Sequence, residues 1–526
     1  QSVIADTLPA LLARHAGSGA PALIDRGKAL SFAALADESR RAARGLRSLG
    51  VGAGDRVAIW LPNVPAWLAT FFACAQLGAI AVSVNTRFRS HELADILARS
   101  RAKVLVFWPG FKGIDFAGVL DACEPAALES LESIVAYGET KATPFAGAAG
   151  KWTIAYTALA AGAPLAESSA APRAGCAVFT TSGTTKAPKF VLHDQRTVIA
   201  HAADVMRGFG IDASATVLCI PPLCGVFGFN TALAALFAGR PTVIAPAWDP
   251  EQAARDIVAH GITHANGTDE AAAQLLAVRE ADFTSVRFFG YAAFNPAHAD
   301  IVTRADARGL KLVGLYGMSE VQALFARQDE TMAAAERMLG GGRPVSPLAR
   351  VRVRDPDTGK VLEHGVQGEL EFIAPSSRMV EYLGDGEATR KALSEDGFFR
   401  SGDLGYTLAD GRFVYLARMG DALRLGGFLV SPAEIEAVVQ EAPGVAACQI
   451  VGVPRPEGIR PVAFVISRKD SPFSEPEVLA HVRGRLAAYK VPLRVFPIDA
   501  FPVTPGANAT KIQKGKLREL AVALLN

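Results

Sequence analysis

The stretch TTSGTTKAPKF at 180–190 concentrates residue types that hold phosphate oxygens. Hydroxyls, the amides of a tight loop and an ammonium group could surround an anion on several sides. The groups concerned are Thr181, Ser182, Gly183, Thr184, Thr185 and Lys189. The stretch does not match the GxxxxGK[ST] pattern of P-loop NTPases, so that fold is not implied. On composition alone, a polar surface turn is the alternative to an anion site.

Four more segments downstream carry charged or polar residues in short clusters. They are YGMSE at 316–320, SGDLG at 401–405, RMGD at 418–421 and ATKIQKGKLRE at 509–519. SGDLG is also good β-turn sequence, and the last segment also fits a solvated basic tail. No single segment decides between these interpretations.

Taken in order, the five segments resemble the motifs of the adenylate-forming superfamily, which includes acyl-CoA synthetases, peptide synthetase adenylation domains and luciferases. The family's phosphate loop reads approximately TSGTTGxPKG, its next motif YGxTE and its hinge RxKD. The resemblance covers essentially the whole chain and implies a two-step reaction. A carboxylate attacks the α-phosphate of ATP to give an acyl-adenylate and pyrophosphate, and a thiol then displaces AMP.

The resemblance implies a role for each motif residue. Negative charge accumulates on the α-phosphate during attack, so a nearby cation should supply much of the rate. Lys511 would be that cation, with Lys514 as its nearest rival. Glu320 and Thr185 would hold Mg²⁺, which prefers hard oxygen ligands, and Ser319 would offer a hydroxyl to the α-phosphate.

The rest of the implied nucleotide site surrounds the adenosine. Tyr316 would lie against the adenine, Asp403 would accept hydrogen bonds from the ribose, and Arg418 would reach ribose and phosphate. The implied ATP- and AMP-binding residues are Thr181, Ser182, Gly183, Thr184, Thr185, Lys186, Lys189, Gly290, Tyr291, Ala292, Tyr316, Gly317, Met318, Asp403 and Arg418.

A pivot at Asp421 would let a small domain rotate between the two reactions. The glycines Gly426 and Gly427 would then admit coenzyme A to the site. Keeping both glycines favours an enzyme that completes the thioester.

The chain departs from the family pattern at several positions. Lys186 and Phe190 replace two glycines of the phosphate loop, and a left-handed Lys186 would cost about 1–3 kcal/mol of strain. Gly225 stands where many members have histidine, beside Phe227, and would enlarge the acyl pocket. Tyr291 would narrow that pocket. Asp269 stands where proline is common and would recognise a polar substrate group or, alternatively, face water.

The elements that position these residues follow from hydrophobic periodicity. Helices and strands alternate between residues 30 and 107, which predicts an α/β domain with a largely parallel sheet. The apolar segment 64–84 contains Pro65 and Gly78, which predict a buried helix followed by a strand rather than a membrane span. Short glycine-punctuated strands after residue 340 predict a separate, more antiparallel β-layer. Ser431, Pro432 and Glu434 predict a capped helix start.

We therefore expect a large multi-subdomain N-terminal domain at 1–420 and a small, mobile α+β domain at 421–526. A chain of 526 residues exceeds what one core normally supports. The net charge of +2 gives no field that favours nucleic acid or an anionic membrane. Six scattered cysteines and an N-terminus without an apolar leader core predict a cytoplasmic protein. The sequence leaves a homodimer open.

The sequence predicts an ATP-dependent carboxylate–CoA ligase that uses Mg²⁺ and coenzyme A. The apolar composition and Gly225 favour a medium or large, mostly apolar acid, aliphatic or aromatic. One alternative is a ligase that loads a carrier protein with its acyl-adenylate. Another is a nucleotide-binding pseudoenzyme, motivated by Lys186 and Phe190.

Overall fold

The computed structural model describes residues 6–181, 188–294, 298–425, 428–505 and 510–526. The α-helices of this part are α1 Leu8–His15, α2 Phe32–Ser48, α3 Pro65–Leu77, α4 Ser90–Ser100, α5 Phe116–Asp121, α6 Tyr156–Leu159, α7 Gln195–Gly208, α8 Val226–Phe237, α9 Pro250–Ala259, α10 Asp269–Ala277, α11 Ile301–Ala307, α12 Ala334–Arg337, α13 Gly386–Lys391, α14 Pro432–Gln440, α15 Glu475–Arg483 and α16 Lys514–Leu525.

The strands are β1 Pro21–Asp25, β2 Lys28–Ser31, β3 Arg56–Trp60, β4 Ile80–Ser83, β5 Val104–Phe107, β6 Ser133–Ala136, β7 Phe145–Ala146, β8 Trp152–Ala155, β9 Gly175–Thr180, β10 Phe190–Asp194, β11 Val217–Cys219, β12 Thr242–Ile244, β13 His264–Thr268, β14 Phe288–Ala292, β15 Leu312–Tyr316, β16 Ala326–Arg327, β17 Gly340–Pro344, β18 Arg350–Arg354, β19 Gly368–Ile373, β20 Glu381–Tyr382, β21 Phe399–Thr407, β22 Phe413–Arg418, β23 Leu423–Leu425, β24 Phe428–Val430, β25 Val445–Arg455, β26 Gly458–Ser467, β27 Val495–Pro497, β28 Val503–Pro505 and β29 Thr510–Ile512.

The long apolar segment is a buried helix and strand, as predicted. Pro65 occupies the first turn of α3, and Gly78 ends the helix with a left-handed φ of +66°. All four residues of β4 are buried. Across the described ranges, no helix is long and apolar enough to cross a membrane.

Two large sheets carry the first four hundred residues, and the predicted parallel pairing is confirmed. One sheet has the order β20-β10-β9-β4-β3-β5-β6-β8-β7, and its central strands from β9 to β8 are parallel. The other has the order β18-β19-β21-β22-β17-β16-β15-β14-β13-β11-β12-β1-β2. Its strands from β15 to β1 pair in parallel, as sheets covered by helices do.

The predicted antiparallel β-layer forms, but it is not separate from the parallel strands. Strand β16 pairs antiparallel with both β15 and β17, and β17 pairs in turn with β22. The second sheet therefore runs continuously from parallel to antiparallel pairing. The change of direction follows immediately after the YGMSE segment, so this segment lies at a break in the strand pattern.

The main hydrophobic core lies between the two sheets. It contains buried residues of α3, α7 and α8 together with strand residues from both sheets, such as Ile59 and Val313. A second core covers the opposite face of the longer sheet, where α9, α10 and α11 pack. Side chains alternate between these two cores along β13 and β14, because successive residues of a strand point to opposite faces.

The last hundred residues have their own core, built on β25, β26 and β27 with α14 and α15. Helix α14 starts where predicted, with Pro432 in its first turn. The predicted side-chain cap from Ser431 and Glu434 is wrong. The buried Ser431 hydroxyl has no hydrogen-bond partner among the described atoms, and Glu434 instead pairs with Lys490.

Candidate active site

The phosphate-loop segment connects two antiparallel strands, β9 and β10. At its base the Thr181 amide donates to the Lys189 carbonyl at 3.0 Å, and the Lys189 amide donates to the Thr181 hydroxyl at 3.0 Å. These bonds close the stem of the loop and fix where Lys189 leaves it. The predicted residues Ser182, Gly183, Thr184, Thr185 and Lys186 lie outside the described residues.

Phe190, one of the two departures in this loop, is buried and forms the first position of β10. The Arg99 guanidinium of α4 lies 4.3 Å from the centre of its ring. Arg99 also donates to the Pro188 carbonyl at 2.8 Å and pairs with Asp95 at 3.0 Å. The phenylalanine therefore has a cationic partner that also holds the loop's exit residue.

Tyr316 ends β15, and its hydroxyl donates to the Asp403 carboxylate at 2.6 Å. Its ring is buried among Phe325, Phe372 and Phe413. Burial raises the pKa of Asp403 to about 6, although the bond from Tyr316 and the charge of Arg418 act in the opposite direction. A buried acceptor of this kind is suited to a group that brings its own hydroxyl donors.

The alternative of a turn aspartate at Asp403 is wrong, because SGDLG lies inside strand β21. Asp403 pairs across the ladder with Arg418, the last residue of β22. The Asp421 amide donates to the Arg418 carbonyl at 2.9 Å immediately afterwards. Strand pairing thus brings the two predicted ribose-binding residues side by side.

Ser319 and Glu320 form a single 3-10 turn after β15. Glu320 is buried and accepts a hydrogen bond from the Tyr382 hydroxyl at 2.8 Å. Burial raises the pKa of Glu320, while the Tyr382 bond and the nearby charges of Arg418 and Lys189 lower it. Because the charges of Lys189 and Arg418 both act on this carboxylate, the stem of the phosphate loop, the YGMSE turn and the end of β22 converge here.

A left-handed backbone segment supports this turn. Gln322, Ala323 and Leu324 have φ values of +62°, +48° and +44°. A side chain on Gly317 would place its Cβ 2.5 Å from the Ala323 Cα. Non-glycine residues occupy this region only when their surroundings enforce it, so Gly317 makes room for the strained segment. Met318 follows directly, and its sulfur lies 3.7 Å from the Tyr316 hydroxyl.

Buried histidines fix the same segment from the other side. His193 of β10 contacts the Ser319 carbonyl through Nε2 at 2.8 Å, and His201 of α7 contacts the Ala323 carbonyl at 2.8 Å. Burial lowers the pKa of both imidazoles to about 4. Both rings are therefore neutral near pH 7 and act as hydrogen-bond donors to the turn.

Gly290, Tyr291 and Ala292 lie on β14, next to β13. The expectation that Tyr291 narrows the acyl pocket is wrong. Its side chain lies in the core beneath α9, α10 and α11, with its hydroxyl on the Met338 carbonyl at 3.2 Å. Phe227 belongs to the core on the opposite face of the sheet. Tyr291 lies two residues after the buried Phe289 on β14, so both side chains point to the same face of the sheet. That face is opposite to the one that packs on Phe227.

Asp269 is the first residue of α10 and is buried, so the solvent-facing alternative is wrong. Its carboxylate accepts hydrogen bonds from the amides of Glu270 at 2.9 Å and Phe294 at 2.8 Å. One oxygen serves each amide. The residue therefore ties the segment after β14 to the start of α10, which does not support its predicted role in substrate recognition.

The other pocket residues lie at the start of α8. Gly225 is the N-cap of this helix, and Phe227 in its first turn is buried. Asn63 fixes the approach to the helix by accepting from the Leu223 amide at 2.7 Å and donating to the Pro221 carbonyl at 3.1 Å. Phe227 and its neighbours Leu223 and Val226 belong to the main hydrophobic core.

Lys511 lies on β29, where its backbone pairs with Thr504 of β28. Its rival Lys514 donates to the Glu436 carboxylate at 2.6 Å, and both side chains are largely buried. Glu436 also accepts from the Ile450 amide at 2.9 Å. Lys514 is therefore committed to an ion pair inside the C-terminal region. Gly426 and Gly427 lie outside the described residues.

The donor set around Glu320 fits Mg²⁺ in one particular way. No group of three or more His, Cys, Asp or Glu side chains among the described residues is arranged to hold a metal ion. Glu320 is a buried carboxylate beside the stem of a phosphate-type loop. Mg²⁺ commonly takes one or two carboxylates and completes its shell with water and substrate phosphates, which matches this arrangement.

Sequence reasoning missed Tyr382, Arg99 and His193, all of which contact the candidate site. Each lies outside the five motif segments and reaches the site only through sheet pairing or helix packing. His193 and Tyr382 lie on adjacent strands, because β10 pairs with β20. A single tyrosine in the stretch MVEYLGDG gave no periodic or compositional signal.

Comparison with known proteins agrees with this geometry. A model described as AMP-binding enzyme matches residues 12–383, and one described as AMP-binding enzyme C-terminal domain matches residues 434–507. A Mycobacterium tuberculosis CoA ligase named for a methyl-dioxo-octahydroindenyl propanoyl group is 32% identical over 510 residues, which cover 95% of each chain. Feruloyl-CoA synthase from an Amycolatopsis species is 32% identical over 497 residues, which cover 94% of each chain.

A solved structure is similar over nearly the whole length. ATP-bound MatB from Rhodopseudomonas palustris superimposes with a TM-score of 0.82 at 25% identity, covering 98% of this chain and 99% of that one. The chain belongs to the AMP-binding enzyme family, in its acyl-CoA synthetase branch. Its enzyme class is that of the AMP-forming acid–thiol ligases.

Proposed function

We propose that the protein joins a carboxylic acid to coenzyme A in two steps. A carboxylate oxygen forms a bond to the α-phosphorus of ATP, and the bond from that phosphorus to the bridging oxygen of pyrophosphate breaks. The sulfur of coenzyme A then attacks the acyl carbon, and AMP leaves with the electron pair of the carbon–oxygen bond.

The observation that carries this proposal is the convergence of four predicted residues. Lys189 and Arg418 both act on the charge of Glu320, and Arg418 is the cross-strand partner of Asp403. In the proposed site, Asp403 accepts from the ribose, Lys189 and Arg418 attract the phosphates, and Tyr316 lies beside the adenine. Fixed donors and charges of this kind stabilise the negative charge that develops during phosphoryl chemistry.

Lys511 is the proposed catalytic lysine, and the ion pair of Lys514 with Glu436 supports this choice over its rival. Moving the Lys514 ammonium to the nucleotide would leave the largely buried Glu436 carboxylate unpaired, which costs about 3–5 kcal/mol. In the same proposal, the small domain begins near Asp421 and turns so that Gly426 and Gly427 admit the thiol. Residues 1–420 form the large domain.

Glu320 is the proposed protein ligand of Mg²⁺, together with Thr185. The ion when bound would neutralise phosphate charge and orient the triphosphate. The buried Glu320 carboxylate supports this role because its burial opposes ionisation unless a cation compensates. A homodimer stays a prediction.

The proposed substrate is a medium or large, mostly apolar acid. The apolar surroundings of Phe227 and the absence of a side chain at Gly225 support it. The two CoA ligases compared above are named for a fused-ring propanoyl group and a feruloyl group. Those names also support coenzyme A as the acceptor and give no support to a carrier-protein ligase.

The test is acid-dependent exchange of labelled pyrophosphate into ATP across a panel of aliphatic and aromatic acids. We expect exchange with at least one large apolar acid, followed by a thioester of the expected mass when coenzyme A is added. Tight ATP binding without exchange on any acid would contradict the proposal and favour the pseudoenzyme alternative. Exchange only with short polar acids would contradict the substrate class alone.

A further inference from the structure

The segment at 379–383 lies between the phosphate-loop strand and the YGMSE turn. Its Met379 amide donates to the Glu320 carbonyl at 2.8 Å. Its Val380 amide donates to the Leu192 carbonyl at 2.8 Å, and its Leu383 amide donates to the Phe190 carbonyl at 2.7 Å. Backbone bonds thus connect this segment both to β10 and to the turn that carries Glu320.

Tyr382 is the side chain of this segment that contacts both charged groups. Its hydroxyl donates to Glu320 Oε1 at 2.8 Å, and the Lys189 ammonium lies 4.6 Å from the centre of its ring. The side chain is buried, with a relative exposure of 5% for the residue. No motif of the sequence analysis includes it.

We propose that Tyr382 is a positioning residue that holds the Glu320 carboxylate and the Lys189 ammonium in fixed relation to the triphosphate. This inference rests on the proposed function. The hydroxyl fixes the carboxylate through Oε1, beside the stem of the phosphate loop. The ring face attracts the ammonium, as aromatic faces attract cations, and keeps it from collapsing onto Glu320.

The chemistry of the pair supports this arrangement. A phenol hydroxyl is protonated in the neutral range, so Tyr382 donates to the Glu320 carboxylate there. A hydrogen bond to a charged group contributes more to binding and stability than a bond between neutral groups. Loss of the hydroxyl should therefore disturb Glu320 more than it disturbs the fold.

Two substitutions separate the hydroxyl from the ring. Tyr382→Phe removes the bond to Glu320 and keeps the ring beside Lys189, whereas Tyr382→Leu removes both. A matched control exists in Tyr156, which is equally buried and donates to the Glu38 carboxylate at 2.7 Å. Tyr156→Phe deletes the same kind of hydrogen bond at a place remote from the candidate site.

The measurement is calorimetric titration of ATP into each full-length variant, with excess Mg²⁺ and with a chelator. With the chelator, Tyr382→Phe should bind ATP as wild type does, and Tyr382→Leu should bind more weakly. With Mg²⁺, Tyr382→Phe should lose about 10-fold in affinity, from the missing charge-assisted bond. Tyr156→Phe should match wild type in both titrations, even if its thermal unfolding midpoint falls.

Three results would overturn the inference: an unchanged Mg²⁺-dependent affinity in Tyr382→Phe, equal losses in both titrations for that variant, or an equal loss in Tyr156→Phe. The proposed function is judged separately, on wild type alone. If wild type binds ATP but supports no exchange, the proposed function is contradicted. The ATP titrations of the Tyr382 variants then still decide whether Tyr382 positions Glu320 and Lys189. Wild type that binds no ATP contradicts both.

Discussion

At the scale of single residues, the candidate site holds two buried carboxylates whose surroundings oppose ionisation. Asp403 and Glu320 both have raised pKa values, chiefly because burial removes them from water. Each has one tyrosine donor, Tyr316 or Tyr382, that partly compensates. Groups held in this way are suited to bind a partner that brings donors or positive charge.

The pKa of Asp403, raised from 3.8 to about 6, predicts a pH dependence of nucleotide binding. The ionised carboxylate is the better acceptor for ribose hydroxyls, so ATP affinity should fall as pH drops below about 6. The fall should approach tenfold per pH unit well below that value. Calorimetric titrations of ATP between pH 5 and 7.5 test this. Asp403→Asn should bind ATP more weakly than wild type. Its affinity should keep only the pH dependence that comes from protonation of ATP itself.

Thermal unfolding of the nucleotide-free protein gives an independent check with the opposite sign. The pKa of Asp403 is higher in the folded protein than in the unfolded chain. At a pH between these two pKa values, the folded state therefore binds more protons than the unfolded state does. The Asp403 contribution to stability should therefore decrease as pH rises from about 4 to about 6. Asp403→Asn should remove that decrease, and an unchanged slope in the variant would contradict the assigned burial effect.

We expect Arg99 to affect nucleotide binding although it lies outside all five motif segments. Arg99→Ala removes the cation beside Phe190 and the bond to the Pro188 carbonyl, so the loop exit loses two contacts. We expect about 3- to 10-fold weaker ATP binding, since hydrogen bonds of charged groups typically contribute 1.5–3 kcal/mol before exposure reduces them.

The matched control for Arg99 is Arg41. It makes the same kind of i, i+4 ion pair, with Asp37, and it donates to the Gly162 carbonyl at 2.7 Å. Arg41→Ala should leave ATP affinity unchanged in the same calorimetric assay. Equal losses in the two variants would show that Arg99 acts only through general stability.

At the scale of elements, the sequence predicted regular structure well where periodicity and breakers agree. Segment 64–84 is an example, because Pro65 and Gly78 mark the ends of α3. The interpretation of SGDLG as a turn failed because pairing with β19 and β22 holds this glycine-rich segment in β21. Local propensity does not report such long-range pairing.

The site was predictable only where its residues fall within recognisable motifs. Lys189, Glu320, Asp403 and Arg418 were named from the sequence. Tyr382 and His193 were not, because strand order brings them to the site from residues that show no pattern. The expected side-chain direction of Tyr291 was wrong. Alternate residues of a strand point to opposite faces of the sheet, and the sequence of β14 does not show which set faces which core.

Because the left-handed segment 322–324 packs closely against Gly317, we expect that no side chain is tolerated at this position. Gly317→Ala places a Cβ 2.5 Å from the Ala323 Cα, so the turn carrying Glu320 must shift. Overpacking of this kind costs about 1–3 kcal/mol, and we expect a lower denaturant midpoint together with loss of ATP binding. Gly162→Ala is the control, since no heavy atom lies within 4 Å of its added Cβ. Wild-type ATP affinity in Gly317→Ala would show that the turn does not depend on this close contact.

At the scale of the whole molecule, the two large sheets and the C-terminal region supply different parts of the proposed chemistry. The proposed nucleotide-binding residues lie on β15, β21 and β22, and the proposed catalytic lysine lies on β29. Lys514 and Glu436 connect the start of α16 to α14 and β25. This ion pair holds the start of α16, directly after the strand of Lys511, against α14 and β25, so we assign Lys514 a structural role.

The most direct test of the central claim is acid-dependent exchange of labelled pyrophosphate into ATP in wild type, Lys511→Ala and Lys514→Arg. We expect exchange in wild type with a large apolar acid and a loss of at least about 100-fold in Lys511→Ala. Lys514→Arg keeps a cation beside Glu436 and should exchange at nearly the wild-type rate. Wild-type protein that binds ATP yet exchanges with no acid would contradict the account, as would full exchange in Lys511→Ala.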